Sequence, residues 1–425
     1  MLAAIMFFFL LCGYFFVRPV REAFGVERGM SALYSLFLAT LVASLILSPI
    51  FSWLVGRFDR RVFLPLSFGA IVLMMLGFAY YRSAGGDEVV TLWTGRVFFV
   101  WLSVVNLFMT GLFWSLMADS FGSNDARRIF PFVAIGGTLG ALLGSAAAWS
   151  VSGSPFTLFD TTLFDLGVTL SAPQMMVVAA IFIAAAGGVS LLIAPRRTTA
   201  LPAPRRRALA EAFDGIRLAV RSRYLAAIAG YIGLLAIVAT TLYFTQNRLV
   251  LAAETSESGR VGAFASIDFW TQSATLFLQL VLTARLMRWF GVGWTMAVLP
   301  VVVVVGYVVL AFGEAAGWSA VAMVSAITVV QAVFRATKYA IARPARETLF
   351  TVLSRDEKYK AKSLIDTFVY RAGDTAGAGV DAVLATVAVA SMTALAATVA
   401  PMAIVMAGLA LYLGSQRSRK ASAPL

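Results

Sequence analysis

Long apolar runs, broken by short polar and charged links, recur along the whole of this 425-residue chain. Each holds about 18–25 residues, enough for a helix to cross roughly 30 Å of hydrocarbon. A soluble chain of this length would show polar helix faces at a 3.6-residue period instead. The runs predict twelve membrane-spanning helices, at 1–24, 31–55, 62–81, 92–120, 128–150, 173–194, 223–249, 260–285, 292–313, 318–341, 361–387 and 393–415. Spanning β-strands are short and alternating, so a β-barrel is excluded. The pattern is that of an all-α polytopic membrane protein.

Charge orients the pattern. The even-numbered links carry Arg57, Arg60 and Arg61, then Arg127 and Arg128, then Arg196, Arg197 and Arg205–Arg207. Arg285 and Arg288, the Lys/Arg-rich stretch 343–362 and the tail with Arg417, Arg419 and Lys420 continue the series. The odd-numbered links are poor in Lys and Arg, and 151–172 has none. Positive-inside logic then puts both termini in the cytoplasm of a bacterial inner membrane protein. The same distribution accounts for the net charge of +13 without a nucleic-acid partner, because the basic residues sit in link clusters rather than along one soluble face. No cleavable signal peptide is expected, since the first run lacks a basic leader and a small-residue cleavage site. That run begins at Met1, and its helix is expected to lack a turn or two at the start.

One link is long. Residues 195–222, rich in Pro, Ala and Arg, divide the chain into a six-helix half at 1–194 and another at 223–415, with a tail at 416–425. A shift of 228 residues lays Arg57 on Arg285 and Arg60 on Arg288. A shift of 237 lays Gly136 on Gly373 and Gly140 on Gly377. Two six-helix halves, a basic central link and cytoplasmic termini predict the major facilitator architecture, made of parallel six-helix repeats. The segment GRFDRR at Gly56–Arg61 stands where that superfamily carries its G-x-x-x-D-R-x-G-R-R loop, which marks Asp59 and Arg60 as gating candidates.

Ionisable groups inside the spans define the candidate chemistry. Each costs about 2.5–3.5 kcal/mol near a helix centre and needs a partner or a wet cavity. At about 100° per residue, Asp366, Tyr370, Asp374 and Asp381 share one face of the eleventh span, with Arg371 beside them and able to pair with Asp374. Gln331, Arg335 and Lys338 line up on the tenth, and Asp268, Gln272, Thr275, Gln279 and Thr283 on the eighth. Tyr14, Arg18 and Arg21 align on the first, and Arg96, Ser103 and Thr110 on the fourth, with Asn106 nearby. Near helix ends, as at Arg96, Asp366 and Arg346, such groups also read as snorkelling or interhelical hydrogen bonds. Five polar stripes together predict a central polar cavity. Its cations outnumber its acids, which favours a small anionic substrate, a nucleotide or another phosphorylated or organic anion. Tyr14, Tyr243 and Tyr370 could stack on a planar ring, and Asn247 adds a polar group beside them. Asp268 and Asp374 are the candidate coupling carboxylates.

Other chemistries find no residues. There is no histidine and a single cysteine, Cys12, so no metal set, disulfide framework or imidazole relay exists. GGTLGALLG at Gly136–Gly144 lacks the G-K-S/T of a phosphate loop, and glycines four apart inside a span read as close helix packing. No enzyme, cofactor or metal is expected, and a monomer is.

Four stretches resemble the nucleotide transporter family, the ATP:ADP antiporters, and especially its shorter bacterial members. Arg18-Pro19-Val20-Arg21-Glu22 stands where their first helix ends in R-S-L/I-K-D. Lys338–Glu347 matches K-Y-S-L-F-D-P-T-K-E, Asp356–Asp366 matches D-E-x-K-x-K-G-K-A-A-I-D, and Val369–Asp374 matches G-x-R-x-G-K. The similarity touches both halves and is specific over 338–374. It implies a secondary transporter of a nucleotide-like anion; alternating access is expected, as exchange or coupled to protons, and the polar stripes offer Arg18, Arg21, Arg335, Lys338 and Arg371 to neutralise the anion. Arg343 replaces a family acid, while Arg21 and Arg346 replace lysines. Asp374 replaces a lysine, which subtracts two charges from a site for triphosphate, so the match does not extend to ATP there. Arg343, Arg346 and Glu347, following a proline break, read as a cytoplasmic gate or anchor. The alternatives are a proton-driven exporter or lipid-linked flippase of the same architecture, or a non-transporting membrane sensor or scaffold.

Overall fold

A computed structural model describes residues 1–58, 60–84, 87–121, 123–153, 156–158, 161–164, 167–193, 222–354, 362, 365–387 and 391–422. Long helices dominate it. In chain order they are α1 (Leu2–Gly25), α2 (Met30–Arg57), α3 (Arg60–Ser83), α4 (Glu88–Ser120), α5 (Ser123–Ser150) and α6 (Ala172–Ile193). Then come α7 (Arg223–Ala253), α8 (Glu257–Val281), α9 (Thr283–Ala315), α10 (Ala320–Val352), α11 (Tyr370–Val387) and α12 (Met392–Ser422). All but α8 and α11 are long and apolar enough to cross a membrane, ten among the described residues. Large apolar side chains on their outer faces stay uncovered, Leu73 and Leu192 at 71% exposure each, as a lipid-facing surface requires.

Local chemistry sets the helix starts. The Asp87 side chain accepts from Val89 N–H at 3.2 Å and opens α4; Ser319 accepts from Ala322 N–H at 3.2 Å and opens α10. Ser171 and Gln174 form the first half of a capping box on α6, Ser171 N–H donating to Oε1 at 2.8 Å. The link after α5 contains an element absent from the hydropathy pattern, an antiparallel pair of Phe156–Leu158 (β1) and Thr161–Phe164 (β2). The 195–221 link and Asp59 lie outside the described residues.

The chain divides into two compact units, 1–203 with 250–272, and 204–249 with 273–425. In the first, α1 packs against α4, α5 and α6, and α3 against α6. The α1–α5 approach depends on glycine. A Cβ at Gly136, Gly140 or Gly144 would stand 2.7, 2.2 or 2.3 Å from the carbonyl oxygens of Ala4, Phe8 and Cys12. The reading of GGTLGALLG as a packing surface holds.

In the second unit α11 does to α7 what α5 does to α1. A Cβ at Gly373 would lie 2.7 Å from Gly233 O, and one at Gly377 2.7 Å from Ile237 O. The buried Tyr231 and Tyr307 fill this unit's core, Tyr231 donating to Met296 O at 3.1 Å. Two helices depart from regularity around the site. In α10, residues Thr337–Ala342 form a π turn, followed by a helical turn at Arg343–Glu347 and a 3-10 turn at Thr348–Val352. A second π turn, Ile365–Val369, leads into α11. The expected proline break at Pro344 is therefore corrected. The helix does not stop at 341; the looser π turn absorbs the missing N–H and the ring, and the chain stays helical to Val352.

Candidate functional site

The ionisable groups fall into three clusters. In the second unit, Lys338 leaves the first residues of the π turn in α10, and its ammonium donates to the Tyr370 hydroxyl at 3.0 Å. It also lies 5.6 Å from the Tyr339 and Tyr370 ring centres and 5.9 Å from that of Phe334, so aromatic faces surround the charge. These residues open on a cavity of about 310 Å³ lined by Tyr231, Leu235, Lys338, Tyr339, Arg343, Arg346 and Tyr370. Three cations and three tyrosines at one cavity suit an anion with a flat apolar part, and the volume lies at the small end of ligand sites. The π turn widens one helical turn, which brings Lys338, Arg343 and Arg346 to the same cavity.

One turn into α11, Asp374 accepts from Thr240 at 3.1 Å and stands 3.7 Å from Arg371. The anticipated Arg371–Asp374 pair forms. Asp374 thus places one buried acid near the Lys338 end of the cavity. At the cavity's other end, Glu347 accepts from Arg346 at 3.0 Å and from Lys362 at 2.5 Å.

In the first unit a second cluster ties the start of α8 to α1 and α3. Arg18 donates to Asp268 and lies 3.6 Å from Glu22, whose carboxylate also accepts from Arg21 at 2.8 Å. The Arg21 guanidinium lies 4.2 Å from the Phe99 ring centre and donates to Phe99 O at 3.3 Å. Tyr14 is buried one turn before Arg18. Further along, the nearly buried Arg82 donates to Glu27 at 3.1 Å, to Glu257 at 2.5 Å and to Thr91 O at 3.0 Å, with Phe24 beneath it at 4.5 Å.

A third cluster joins α7 to its neighbours in the second unit. Arg335 donates to Gln246 at 3.1 Å, Gln331 to Leu242 O at 3.1 Å, and Arg248 to the fully buried Asp381 at 2.7 Å. Asn247 is buried and donates to Tyr243 O of its own helix at 2.8 Å, while Tyr243 packs edge-on to Phe244. These groups hold α7 against α10 and α11.

The other candidates disperse. Arg96 lies over Trp93 at 5.3 Å near the start of α4, and Asn106 and Gln272 are half-buried on α4 and α8. Asp59 lies outside the described residues; of Arg60 and Asp366 only the backbone is described. Sequence reasoning missed Arg82, Glu257, Arg248, Tyr231 and Tyr339. Arg82 and Glu257 sit at span ends, where a charge reads as a topology signal, and a tyrosine in an aromatic-rich chain carries no mark of a cavity.

The helices and their lipid-facing surface find counterparts among solved transporters. A mutant of the nucleoside transporter NupG superposes with a TM-score of 0.62 at 13% identity, covering 99% of this chain and 98% of that one. A POT family transporter in complex with 5-aminolevulinic acid superposes with a TM-score of 0.65 at 11% identity, covering 98% and 96%. No curated protein matches the sequence. At these identities the likeness shows the fold alone, a multi-helix fold shared with those transporters. The sequence defines the family: the profile of the TLC ATP/ADP transporters matches residues 76–416, and the chain belongs to that family.

Proposed function

We propose that this protein is a secondary transporter of a small nucleotide-like or other phosphorylated anion, with the anion held at Lys338, Arg343, Arg346 and Tyr370. The observation that carries the reading is the cavity itself, where three cations and three tyrosines meet on α7, α10 and α11, with π turns in α10 and at the entry to α11. A phosphate accepts from a guanidinium fork and an ammonium, and a base ring stacks on tyrosine. Asp374 trims the positive charge of the site and is the coupling carboxylate nearest to it; Asp268 serves Arg18.

The surrounding architecture follows the same proposal. Twelve spans form two six-helix halves, 1–194 and 223–415, joined by the basic 195–222 link, with both termini in the cytoplasm of a bacterial inner membrane. Transport is by alternating access, as exchange or coupled to protons. The α8 ion pairs within the first unit, Arg18–Asp268 and Arg82–Glu257, break and re-form as the transporter changes state. Arg343 and Arg346 then belong to the anion site as well as to the cytoplasmic gate, with Glu347 and Lys362 holding Arg346 in place.

Counterflow in proteoliposomes tests the proposal. Preloaded vesicles should exchange a labelled nucleotide, sugar phosphate or organic phosphate, and the same compound should raise the melting temperature of the purified protein. Lys338→Gln should weaken that binding by about ten- to a hundredfold, the worth of one charge-assisted hydrogen bond. Binding unchanged in Lys338→Gln, or no anion that stabilises the wild type, rejects the site.

A further inference from the structure

Residues Thr283–Ala315 are helical on both sides of Gly291, whose φ of 70° and ψ of 178° break the axis. The part beyond the break, 292–315, exceeds the roughly 20 residues that cross hydrocarbon. The eight residues before it, 283–290, therefore lie outside the span. They read TARLMRWF, with exposed Arg285, Arg288, Trp289 and Phe290, and Trp289 is 65% exposed. Trp294, one turn past the break, is 63% exposed.

The neighbouring helix ends at the same level. The backbone of Gly293 meets that of Gly414, and further along Pro300 and Val304 share a cavity wall with Ala403 and Ala407. Past the break the two helices thus run antiparallel, so the basic end of α12, with Arg419 and Lys420, lies beyond the level of Gly293, on the side from which 283–290 enters. Neither 283–294 nor the chain after Tyr412 contains an acidic residue. Among the described residues no carboxylate pairs with Arg285 or Arg288. Arginines flanked by exposed tryptophans at the mouth of a span mark the headgroup level. A basic cluster there attracts a phosphodiester.

We propose that the 283–290 segment and the end of α12 form a binding site for the headgroup of an anionic phospholipid. Arg285 and Arg288 take the phosphate, Trp289 and Trp294 flank the glycerol and upper acyl chain, and the α12 cations widen the positive field. The lipid pins the break at Gly291, and with it the start of α9, to the membrane surface.

Native mass spectrometry and thermal denaturation of the full chain in a neutral detergent, titrated with phosphatidylglycerol or with phosphatidylcholine of the same acyl chains, test it. Phosphatidylglycerol should bind and stabilise preferentially. Each of Arg285→Gln and Arg288→Gln should lower its apparent affinity about fivefold, whereas Arg285→Lys should retain most of it. Arg260→Gln, in the other unit, should leave the preference unchanged. Equal response to both lipids, or wild-type preference in both single Gln variants, overturns the site. So does equal stabilisation by glycerol 3-phosphate alone, which would make it a soluble-phosphate site.

Discussion

Arg18–Glu22 and Arg343–Glu347 both read R-P-x-R-E, and each closes an ion pair inside itself, Arg21 on Glu22 at 2.8 Å and Arg346 on Glu347 at 3.0 Å. Their first arginines then diverge. Arg18 turns to Asp268, while Arg343 remains exposed at the Lys338 cavity. The buried pair is the more consequential for stability. Arg18→Gln removes the cation between Glu22 and Asp268 and is expected to cost about 3–5 kcal/mol, the range for one lost partner of a buried pair. Asp268→Asn leaves Arg18 with Glu22 at 3.6 Å and should cost less. Thermal denaturation ranks the two, and the reverse order, or an Arg18→Gln protein as stable as wild type, removes the pair from the account. Asp374 offers a functional counterpart. If it carries the coupled proton, Asp374→Asn abolishes uptake driven by a pH gradient and leaves counterflow intact; an unchanged pH response in proteoliposomes excludes that role. At this scale the sequence was readable wherever spacing alone brings groups together, as for Arg371 and Asp374. Arg82 and Glu257 are remote in the chain, and only the packing of α8 on the first unit joins them.

Helices were the most legible elements, because a continuous apolar run of spanning length admits one structure in lipid. Glycine spacing was legible for a related reason: positions four apart share a face, and their small size there has no use except close approach. This packing is testable. A valine at Gly140 would drive its Cβ to 2.2 Å from Phe8 O, whereas nothing lies within 4 Å of a Cβ at Gly188. Gly140→Val is expected to destabilise by about 1–3 kcal/mol or more, and Gly377→Val similarly, with Gly188→Val near neutral in the same melting assay. Equal melting of all three variants would show that the column is not a contact surface. The π turns and the break at Gly291 escaped prediction, since hydropathy is blind to a change from i+4 to i+5 hydrogen bonding. That blindness mattered at the site. Ideal-helix geometry put Gln331, Arg335 and Lys338 on one stripe, but Gln331 and Arg335 serve α7 while Lys338, just inside the π turn, meets Tyr370.

For the whole molecule the decisive elements are the two least apolar helices. Among the described residues ten helices are long and apolar enough to cross a membrane, and α8 and α11 do not qualify because Asp268 and Gln272, and Arg371, Asp374 and Asp381, lie along them. Yet these polar residues are largely covered by protein, Asp268 and Asp381 at 2% and 0% exposure, so the charge does not have to face lipid. A twelve-span chain with cytoplasmic termini follows if both helices cross. Removing either one inverts every later link and puts Arg417, Arg419 and Lys420 on the outside, against the positive-inside bias. Cysteine labelling can decide, because Cys12 is the single native thiol and Cys12→Ser supplies the background. Ser256→Cys and Arg285→Cys flank α8; Thr351→Cys and Ser391→Cys flank α11. In intact cells an impermeant maleimide should reach positions 256 and 391 and reach 285 and 351 only after the membrane is opened. Positions 256 and 285 labelled from the same side would mean that α8 does not cross, and the two-by-six arrangement would fall with it.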